Sequence, residues 1–357
     1  MIHPIPSGTR DVLPDEMREL RAILAAAHGV FDAAGYGEVS TPALEYEDTL
    51  AIGGVGGALP AYRLFDEQGA VLTLRSDMTV PIARLVATRF ATAEPPLRLC
   101  YVAHAYRGVR PQRGQSREFL QAGIELIGAP APEGTAEALT VLCDTLDAVG
   151  LKRYRIGLGD VALYQQLLDA SGIEGEPRAR ILNELVTRDF VGLEREIDEL
   201  RLDDAAAIER LKRIPQLRGG PEVLARLDGA GHAAAEGLRS VHALLEPRVA
   251  ERVIFDLGLV RKLDYYSGAI FEVYDPTLGV TLGGGGRYDD LLGRFGRPLP
   301  AVGWALTVER LHIALAGESS PGGSDSLGRT RPEARSSDGR ERTSGPGVRS
   351  SGEEARA

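Results

Sequence analysis

The sequence has few of the residues that build disulfide networks, zinc sites or membrane spans. It contains two cysteines in 357 residues, Cys100 and Cys143, and they lack the CxxC spacing of metal and redox motifs. No apolar run approaches the ~18 residues of a membrane span. The first fourteen residues have neither a basic region nor an apolar core, which predicts no secretory signal. We therefore expect a cytoplasmic protein with two buried, reduced cysteines and no contact with a membrane.

Several common catalytic motifs are also missing. The sequence has no HExxH, no GxSxG, no P-loop, and no GxGxxG between a strand and a helix. Its formal net charge of -10 disfavours broad non-specific binding to nucleic acid. These absences predict no metal and no cofactor, so function must reside in smaller polar clusters.

The hydrophobic pattern predicts a helical block inserted between two groups of strands. Residues 15–34 show helical periodicity and end at Gly35, and short strands separated by turns follow. Residues 162–247 are rich in Leu, Ala, Glu and Arg at helical spacing. Because the strands are joined by short turns, we expect an antiparallel sheet rather than βαβ crossovers.

These segments predict an α+β fold with a discontinuous core. The core comprises residues 1–161 and 248–316, and residues 162–247 form the helical insertion. From residue 317 to residue 357 Gly, Ser, Pro and mixed charges dominate. Such a composition cannot bury enough apolar surface to offset the entropy lost on ordering, which predicts a disordered tail.

A strand preceded by an arginine-rich loop is the first polar cluster. Arginines occur at positions 107, 110, 113 and 117 on a backbone interrupted by glycine and proline. In the strand that follows, one face is apolar and the other carries Gln121 and Glu125. The arginines are either solvated or bind an anion, and the polar strand face requires either water or a ligand.

Two further clusters lie at turns. Asp77 and Thr79 stand between a short strand and a helix, where Asp77 either caps the helix or helps Thr79 to hold an ammonium group. Arg261, Tyr265 and Tyr266 lie on a turn before an apolar strand. The tyrosines suit a core as well as a site, whereas a planar guanidinium group matches a carboxylate or a phosphate.

In this order the polar stretches resemble the catalytic core of histidine–tRNA ligase, a class II aminoacyl-tRNA synthetase. The segments that carry the resemblance are GTRDVLP, GYGEVSTPALE, LRSDMT, YRGVRPQRGQSREFLQAGIELIG, LVRKLDYYSGAIFE, GGGRYDDLL and AVGWALTVERL. The resemblance covers nearly the whole folded region, residues 4 to 316, and LVRKLDYY and GGGRYDDLL are the segments most specific to the histidine branch. The resemblance implies the class II fold and a pocket for free histidine.

The resemblance also implies a role for each matching position. Asp77 and Thr79 match residues that hold the α-ammonium group of histidine, and Gln121 lies against the bound amino acid. Glu125 and Tyr266 match residues that contact the imidazole nitrogens of histidine, and Tyr265 lies next to Tyr266 in the sequence. Arg107 and Arg261 match groups that face the carboxylate and, in the synthetase, the phosphates. Pro42 matches the proline of the class II dimer-interface motif.

The sequence departs from the synthetase pattern at the nucleotide site. Val109 replaces a glutamate that contacts ATP, Gln115 replaces an arginine, and Thr307 replaces a glycine, although Arg310 is retained. After the last helix the synthetase continues into an anticodon-binding domain of roughly 100 residues, whereas here the low-complexity segment follows. These departures predict a damaged nucleotide site and no binding of tRNA.

A histidine pocket with a damaged nucleotide site resembles the regulatory subunits of ATP phosphoribosyltransferase. This resemblance implies a non-catalytic chain that partners the short-form catalytic subunit in the first step of histidine biosynthesis. It further implies feedback by L-histidine and a homodimer within a hetero-oligomer. The alternatives are a truncated ligase-like enzyme that activates histidine with ATP and, with less support, a tRNA-sensing module.

Overall fold

The computed structural model describes residues 4–54, 61–108, 116–227, 229–261 and 263–319. Several positions discussed above lie outside these ranges: Val109, Arg110, Arg113, Gln115 and the predicted tail from residue 320 onward. The interpretations that depend on them therefore stay predictions.

Twelve strands and twelve α-helices make up the described residues. The strands are β1 Gly37–Glu38, β2 Leu44–Tyr46, β3 Arg63–Phe65, β4 Val71–Leu74, β5 Leu97–Tyr106, β6 Glu118–Ile127, β7 Arg155–Asp160, β8 Arg218–Gly219, β9 Val253–Asp256, β10 Ala269–Tyr274, β11 Gly283–Arg287 and β12 Ala301–Thr307. The helices are α1 Pro14–Ala33, α2 Glu47–Ile52, α3 Thr79–Arg89, α4 Glu133–Val149, α5 Val161–Ala170, α6 Gly175–Thr187, α7 Phe190–Glu199, α8 Ala205–Arg213, α9 His232–Ala243, α10 Pro247–Ala250, α11 Leu291–Arg294 and α12 Val308–Ser319.

Nine strands form one sheet in the order β1-β5-β6-β12-β11-β10-β7-β9-β8, and β2, β4 and β3 form a small second sheet. The expected α+β class is confirmed. The antiparallel expectation holds for most neighbouring pairs, but β1–β5 and β7–β9 are parallel. Both parallel pairs are separated in sequence by helices, and a parallel return requires such a crossover. The sheet is therefore mixed.

Helix α1 shows why the apolar pattern could be read correctly from sequence. Its buried residues Leu20, Ile23, Ala27 and Phe31 recur at helical spacing and join the main core. The helix ends at Ala33, and Gly35 then adopts φ +77°, a conformation that favours glycine. The prediction for residues 15–34 is confirmed to within one residue.

The main core contains both cysteines and much of the helical segment. Cys100 and Cys143 are buried and free, as expected. Helices α6 to α9 fall within the predicted insertion, and α5 begins one residue before it, at Val161. The short strand β8 in the same segment pairs with β9 at the sheet edge. Helix α12 continues to Ser319, three residues beyond the expected end of the core. The division into core and insertion stays a prediction, because residues 4–319 belong to one compact unit.

Within the ranges that the structure describes, no helix is both long enough and apolar enough to cross a bilayer.

Candidate functional site

A cavity of about 890 Å³ lies against the polar face of β6. Seven of the eight predicted site residues line it: Asp77, Thr79, Arg107, Gln121, Arg261, Tyr265 and Tyr266. The eighth, Glu125, is only 1% exposed and lies beneath the lining residues. The fold thus gathers residues from positions 77 to 266 of the sequence around one space.

The central position of β6 explains how the floor of the cavity forms. β6 pairs with β5 on one side and with β12 on the other, so its backbone is held along both edges. Ala122, Ile124 and Leu126 point into the main core. Gln121 and Glu125 therefore point to the opposite face, as the alternating sequence predicted.

Asp77 has one oxygen that is satisfied by the protein and one that is not. Its Oδ1 accepts a hydrogen bond of 3.2 Å from the backbone N–H of Val80, at the start of α3. Its Oδ2 is buried and has no hydrogen-bond partner among the described residues. Burial raises the pKa of Asp77, although the Val80 hydrogen bond and the positive charge of Arg107 oppose that shift. Both interpretations of Asp77 are compatible, because Oδ1 stabilises the start of the helix while Oδ2 has no partner within the described ranges and the residue lines the cavity.

Other polar atoms around the cavity share this condition. Gln121 Oε1 and Arg107 Nε are buried without a partner in the described part of the chain, and both residues line the cavity. The guanidinium carbon of Arg107 lies 4.8 Å from the ring centroid of Phe119, which fixes the side chain without using its N–H groups. A buried unpaired polar group costs roughly 1–3 kcal/mol, so a ligand that pairs these atoms would be stabilised by relieving that cost.

Glu125 forms a hydrogen-bonded layer under the cavity. The Thr79 hydroxyl donates to its Oε1 at 2.8 Å, and the Tyr288 hydroxyl donates to its Oε2. A Cβ atom at Gly303, opposite Glu125 on β12, would overlap Oε2, so the carboxyl group needs glycine there. Burial raises the pKa of Glu125 to about 8, while both hydroxyl hydrogen bonds act in the opposite direction.

Tyr288 is a cavity residue that sequence reasoning missed. It belongs to the GGGRYDDLL segment, which carries the family resemblance but from which no site residue was predicted. Its ring packs edge-on to that of Tyr265, with the centroids 5.8 Å apart. A useful signal was available, because an aromatic residue with a polar hydroxyl directly follows a strand of small residues.

Arg261 is oriented by the protein rather than by solvent. Its Nη1 donates to the Phe271 carbonyl at 3.3 Å, and its guanidinium carbon lies 5.6 Å from the ring centroid of Tyr266. A Cβ atom at Gly284 would lie 2.7 Å from Nη1, so glycine on β11 makes room for the group. The glycine run therefore permits close approach of an arginine as well as of neighbouring strands.

Two of the four positions named at the predicted nucleotide site lie within the described residues. Thr307 and Arg310 both line the cavity. Arg310 Nη1 donates to the Thr281 carbonyl at 2.6 Å. Burial and the nearby positive charge of Arg107 lower the pKa of Arg310. The retained arginine is thus tied to the backbone of the protein itself.

Within residues 4–54, 61–108, 116–227, 229–261 and 263–319, no group of three or more His, Cys, Asp or Glu side chains is arranged to hold a metal ion.

Comparisons with known proteins assign the chain that forms this cavity to a family. The sequence model described as histidyl-tRNA synthetase matches residues 8–311. An ATP phosphoribosyltransferase regulatory subunit of Symbiobacterium thermophilum is 42% identical over 317 residues, which cover 87% of this chain and 79% of that protein. One of Moorella thermoacetica is 42% identical over 324 residues, covering 89% and 83%. The chain belongs to the histidyl-tRNA synthetase family and groups with its ATP phosphoribosyltransferase regulatory subunits.

A solved structure agrees with this assignment. It is described as an ATP phosphoribosyltransferase regulatory subunit/histidyl-tRNA synthetase from Bacillus halodurans. It matches with a TM-score of 0.80 at 33% identity, covering 88% of this chain and 84% of that one. The expected class II synthetase-like fold is therefore confirmed, as is the expected family.

Proposed function

We propose that this chain is a regulatory subunit that binds L-histidine in the cavity and assembles with the short-form catalytic subunit of ATP phosphoribosyltransferase. It acts in the first step of histidine biosynthesis and catalyses no reaction itself. The observation that carries the proposal is a set of buried atoms on one cavity that have no partner among the described residues: acceptors at Asp77 and Gln121, and a donor at Arg107. The names of the relatives support the same role.

The chemistry of this set suits an amino-acid zwitterion. An α-ammonium group has only donors, which match the free oxygens of Asp77 and Gln121. An α-carboxylate has only acceptors, which match the guanidinium groups of Arg107 and Arg261. The family resemblance implies that the imidazole ring contacts Tyr266 and Glu125. A neutral Glu125 offers a hydrogen-bond donor to a ring nitrogen, whereas an ionised one offers only acceptors.

Feedback needs only a modest energetic preference. Histidine must bind one conformation of the assembly more tightly than another, and a coupling of about 1–3 kcal/mol, or roughly 5–150-fold, is typical of allosteric proteins. A ligand with equal affinity for both conformations would shift nothing. The second candidate, a histidine-activating enzyme, is not favoured, because the relatives are described as regulatory subunits.

Reconstitution with the short-form catalytic subunit tests the proposal. The chain is expected to co-elute with that subunit, to raise its activity, and to make it sensitive to histidine. The variant Tyr266→Phe should assemble normally but require about 5–150-fold more histidine, because it removes a buried polar partner worth roughly 1–3 kcal/mol. Tyr106→Phe, on β5 and outside the cavity lining, is the control.

The outcome that contradicts the proposal is equally specific. Histidine-dependent ATP–pyrophosphate exchange by the purified chain would show that it activates histidine. An unchanged histidine response in Tyr266→Phe would mean that the pocket lies elsewhere, even if assembly and activation are observed.

We also propose a homodimer that uses the small sheet next to Pro42. Tyr46 on β2 and Leu64 on β3 both face Leu72 on β4, so the three side chains share one face of the sheet. Tyr46 is 55% exposed and Leu64 is 44% exposed. A second copy of the chain would remove these apolar surfaces from water.

The dimer is tested by placing charge on that face. Tyr46→Asp is expected to shift the protein to a monomer, because a carboxylate in an apolar interface loses its hydration. Val191→Asp, at a side chain that is 81% exposed on α7, is the matched control and should leave the dimer intact. Sedimentation velocity distinguishes the two states, and an unchanged dimer in Tyr46→Asp would place the interface elsewhere.

A cytoplasmic location completes the proposal. It is supported by the two free, buried cysteines, since reducing compartments keep thiols unpaired.

A further inference from the structure

Five charged side chains connect the cavity to the helical insertion. Arg188 follows α6 and Arg218 lies on β8, both within residues 162–247. Asp256 ends β9, Glu272 lies on β10, and Arg261 lines the cavity. The cluster therefore contains two carboxylates and three guanidinium groups, and only Arg261 among them faces the proposed ligand.

The insertion end of the cluster is tightly bonded. Asp256 Oδ2 lies 3.2 Å from Arg188 Nη1 and 3.1 Å from Arg218 Nε. Arg188 Nη2 also donates to the Tyr274 hydroxyl at 2.9 Å. Arg188 has φ +57°, a left-handed conformation that side chains other than glycine rarely adopt. The insertion thus holds a strained residue against the sheet by its side-chain contacts.

Glu272 lies between two guanidinium groups without a close bond to either. Its Oε2 is 3.6 Å from Arg188 Nη2, and its Oε1 is 4.0 Å from Arg261 Nε. Its close hydrogen bond is the one that the Tyr274 hydroxyl donates to Oε2 at 2.8 Å. Both ion pairs exceed hydrogen-bond length, so a small movement of Glu272 would strengthen one pair and weaken the other.

Glycines on the neighbouring strands leave space for this arrangement. Gly284 and Gly157 are the cross-strand partners of Glu272 on β11 and β7. A Cβ atom at Gly284 would crowd Arg261, and one at Gly157 would lie 2.9 Å from the Tyr274 ring. The row of small residues therefore lets Arg261, Glu272 and Tyr274 lie side by side over the sheet.

A ligand carboxylate at Arg261 changes the balance at Glu272. The contacts of Arg261 with β10 use Nη1 and Nε, and neither uses Nη2. A carboxylate that binds Arg261 shares its positive charge and weakens the attraction between Arg261 and Glu272. Glu272 then pairs more closely with Arg188, whose Nη2 is already within 3.6 Å.

We propose that Glu272 is a positioning residue for Arg261 and that the same carboxylate couples occupancy of the cavity to the order of the helical insertion. Histidine binding strengthens the Glu272–Arg188 pair and so steadies the junction between α6 and α7. The inference rests on the proposed histidine site. It goes beyond that site by naming the element that responds to the ligand and the residues that carry the response.

The test combines calorimetry with hydrogen exchange on the full chain. In the wild type, saturating histidine is expected to slow amide exchange across residues 175–199 of α6 and α7. Glu272→Gln keeps an acceptor for Tyr274 but removes the charge, so the slowing should disappear at saturation. Histidine affinity should fall by less than fivefold, because this variant loses the pairing with Arg188 but also no longer competes with the ligand for Arg261. Arg188→Met should weaken binding about fivefold, at the lower end of typical couplings, and also abolish the slowing.

Arg180→Met is the matched control. Arg180 lies on α6 and pairs with Glu176 and Glu196, outside the cluster. This variant should bind histidine as the wild type does and show the same ligand-dependent slowing. Arg188 is partly exposed, so Arg188→Met provides an independent test of the coupling if Glu272→Gln proves poorly folded.

The outcomes separate this inference from the function on which it rests. Equal slowing of α6 and α7 in wild type, Glu272→Gln and Arg188→Met overturns the inference. Histidine binding with no change in wild-type exchange also overturns it, and leaves the histidine site standing. Absence of histidine binding by the wild type overturns both.

Discussion

Replacing Asp77 with asparagine is expected to weaken histidine binding by about 10–150-fold and, at the same time, to stabilise the ligand-free protein. Asp77 Oδ2 is buried without a partner in the described structure, and a hydrogen bond to a charged group contributes roughly 1.5–3 kcal/mol. Asparagine retains an acceptor for the Val80 N–H but presents no negative charge to an ammonium group. Calorimetry measures the affinity, and thermal unfolding measures the stability.

The gain in stability follows from the direction of the pKa shift. Burial raises the pKa of Asp77 above its ordinary value of 3.8. Between the unfolded and the folded pKa the native state holds the proton more tightly, so the free energy of unfolding decreases as pH rises through that range. Asparagine does not ionise, so the variant does not lose stability in this way as pH rises. The difference in stability between the variant and the wild type should therefore be larger at neutral pH than in acid.

Asp275→Asn provides the matched control for this prediction. Asp275 is also a buried aspartate whose Oδ2 has no partner within the described ranges, but it is not among the residues that line the cavity. It should therefore bind histidine with wild-type affinity. Equal loss of affinity in both variants would show that Asp77 acts through general stability and not through the ligand.

Replacing Glu125 with glutamine is expected to flatten the pH dependence of stability between about pH 4.5 and 8. The pKa of Glu125 rises from 4.5 to about 8 through burial. In that window the unfolded chain releases the proton while the native state keeps it, so the free energy of unfolding of the wild type falls as pH rises. Such a shift corresponds to a loss on the order of 3–5 kcal/mol by pH 8, which glutamine removes.

Tyr288→Phe is expected to widen the pH range over which stability declines, whereas Glu125→Gln removes the decline. The Tyr288 hydroxyl donates to Glu125 and acts to lower its pKa, so its removal should raise that pKa further. The upper limit of the window should then move above pH 8, while the lower limit stays at the unfolded pKa. Denaturant titrations of the ligand-free proteins across this range provide the measurement. An equally steep decline in Glu125→Gln would assign the pH dependence to another group.

Local sequence patterns were sufficient for the strands and helices that build the floor of the cavity. The alternation around Gln121 and Glu125 predicted a strand with one polar face, and the structure has β6 with that orientation. The polar pair at Asp77 and Thr79 was expected where a strand meets a helix; Asp77 lies between β4 and α3, and Thr79 is the first residue of α3. These features depend on neighbours within a few residues, which a single sequence displays.

Contacts between residues that are far apart in the sequence could not be predicted from local patterns. Tyr288 and Glu125 are separated by 163 residues, and the sequence around either residue does not indicate their contact. The parallel pairs β1–β5 and β7–β9 depend on where crossovers return, which the short turns between other strands did not reveal. The position of Glu125 beneath the cavity depends on a glycine on β12. Each of these facts requires the register of the assembled sheet.

The double-sided pairing of β6 also limits how a small molecule can enter. Ten residues of β6 are in register with β5, and seven are in register with β12. Opening the floor would break many backbone hydrogen bonds together, so admission and release must occur through the opposite wall. The lining outside β6 includes Gly8 and Thr9 of the N-terminal turn. Exchange of the small molecule with bulk water should accordingly depend on this N-terminal turn, and mutations of Gly8 or Thr9 should change dissociation rates more than equilibrium affinity.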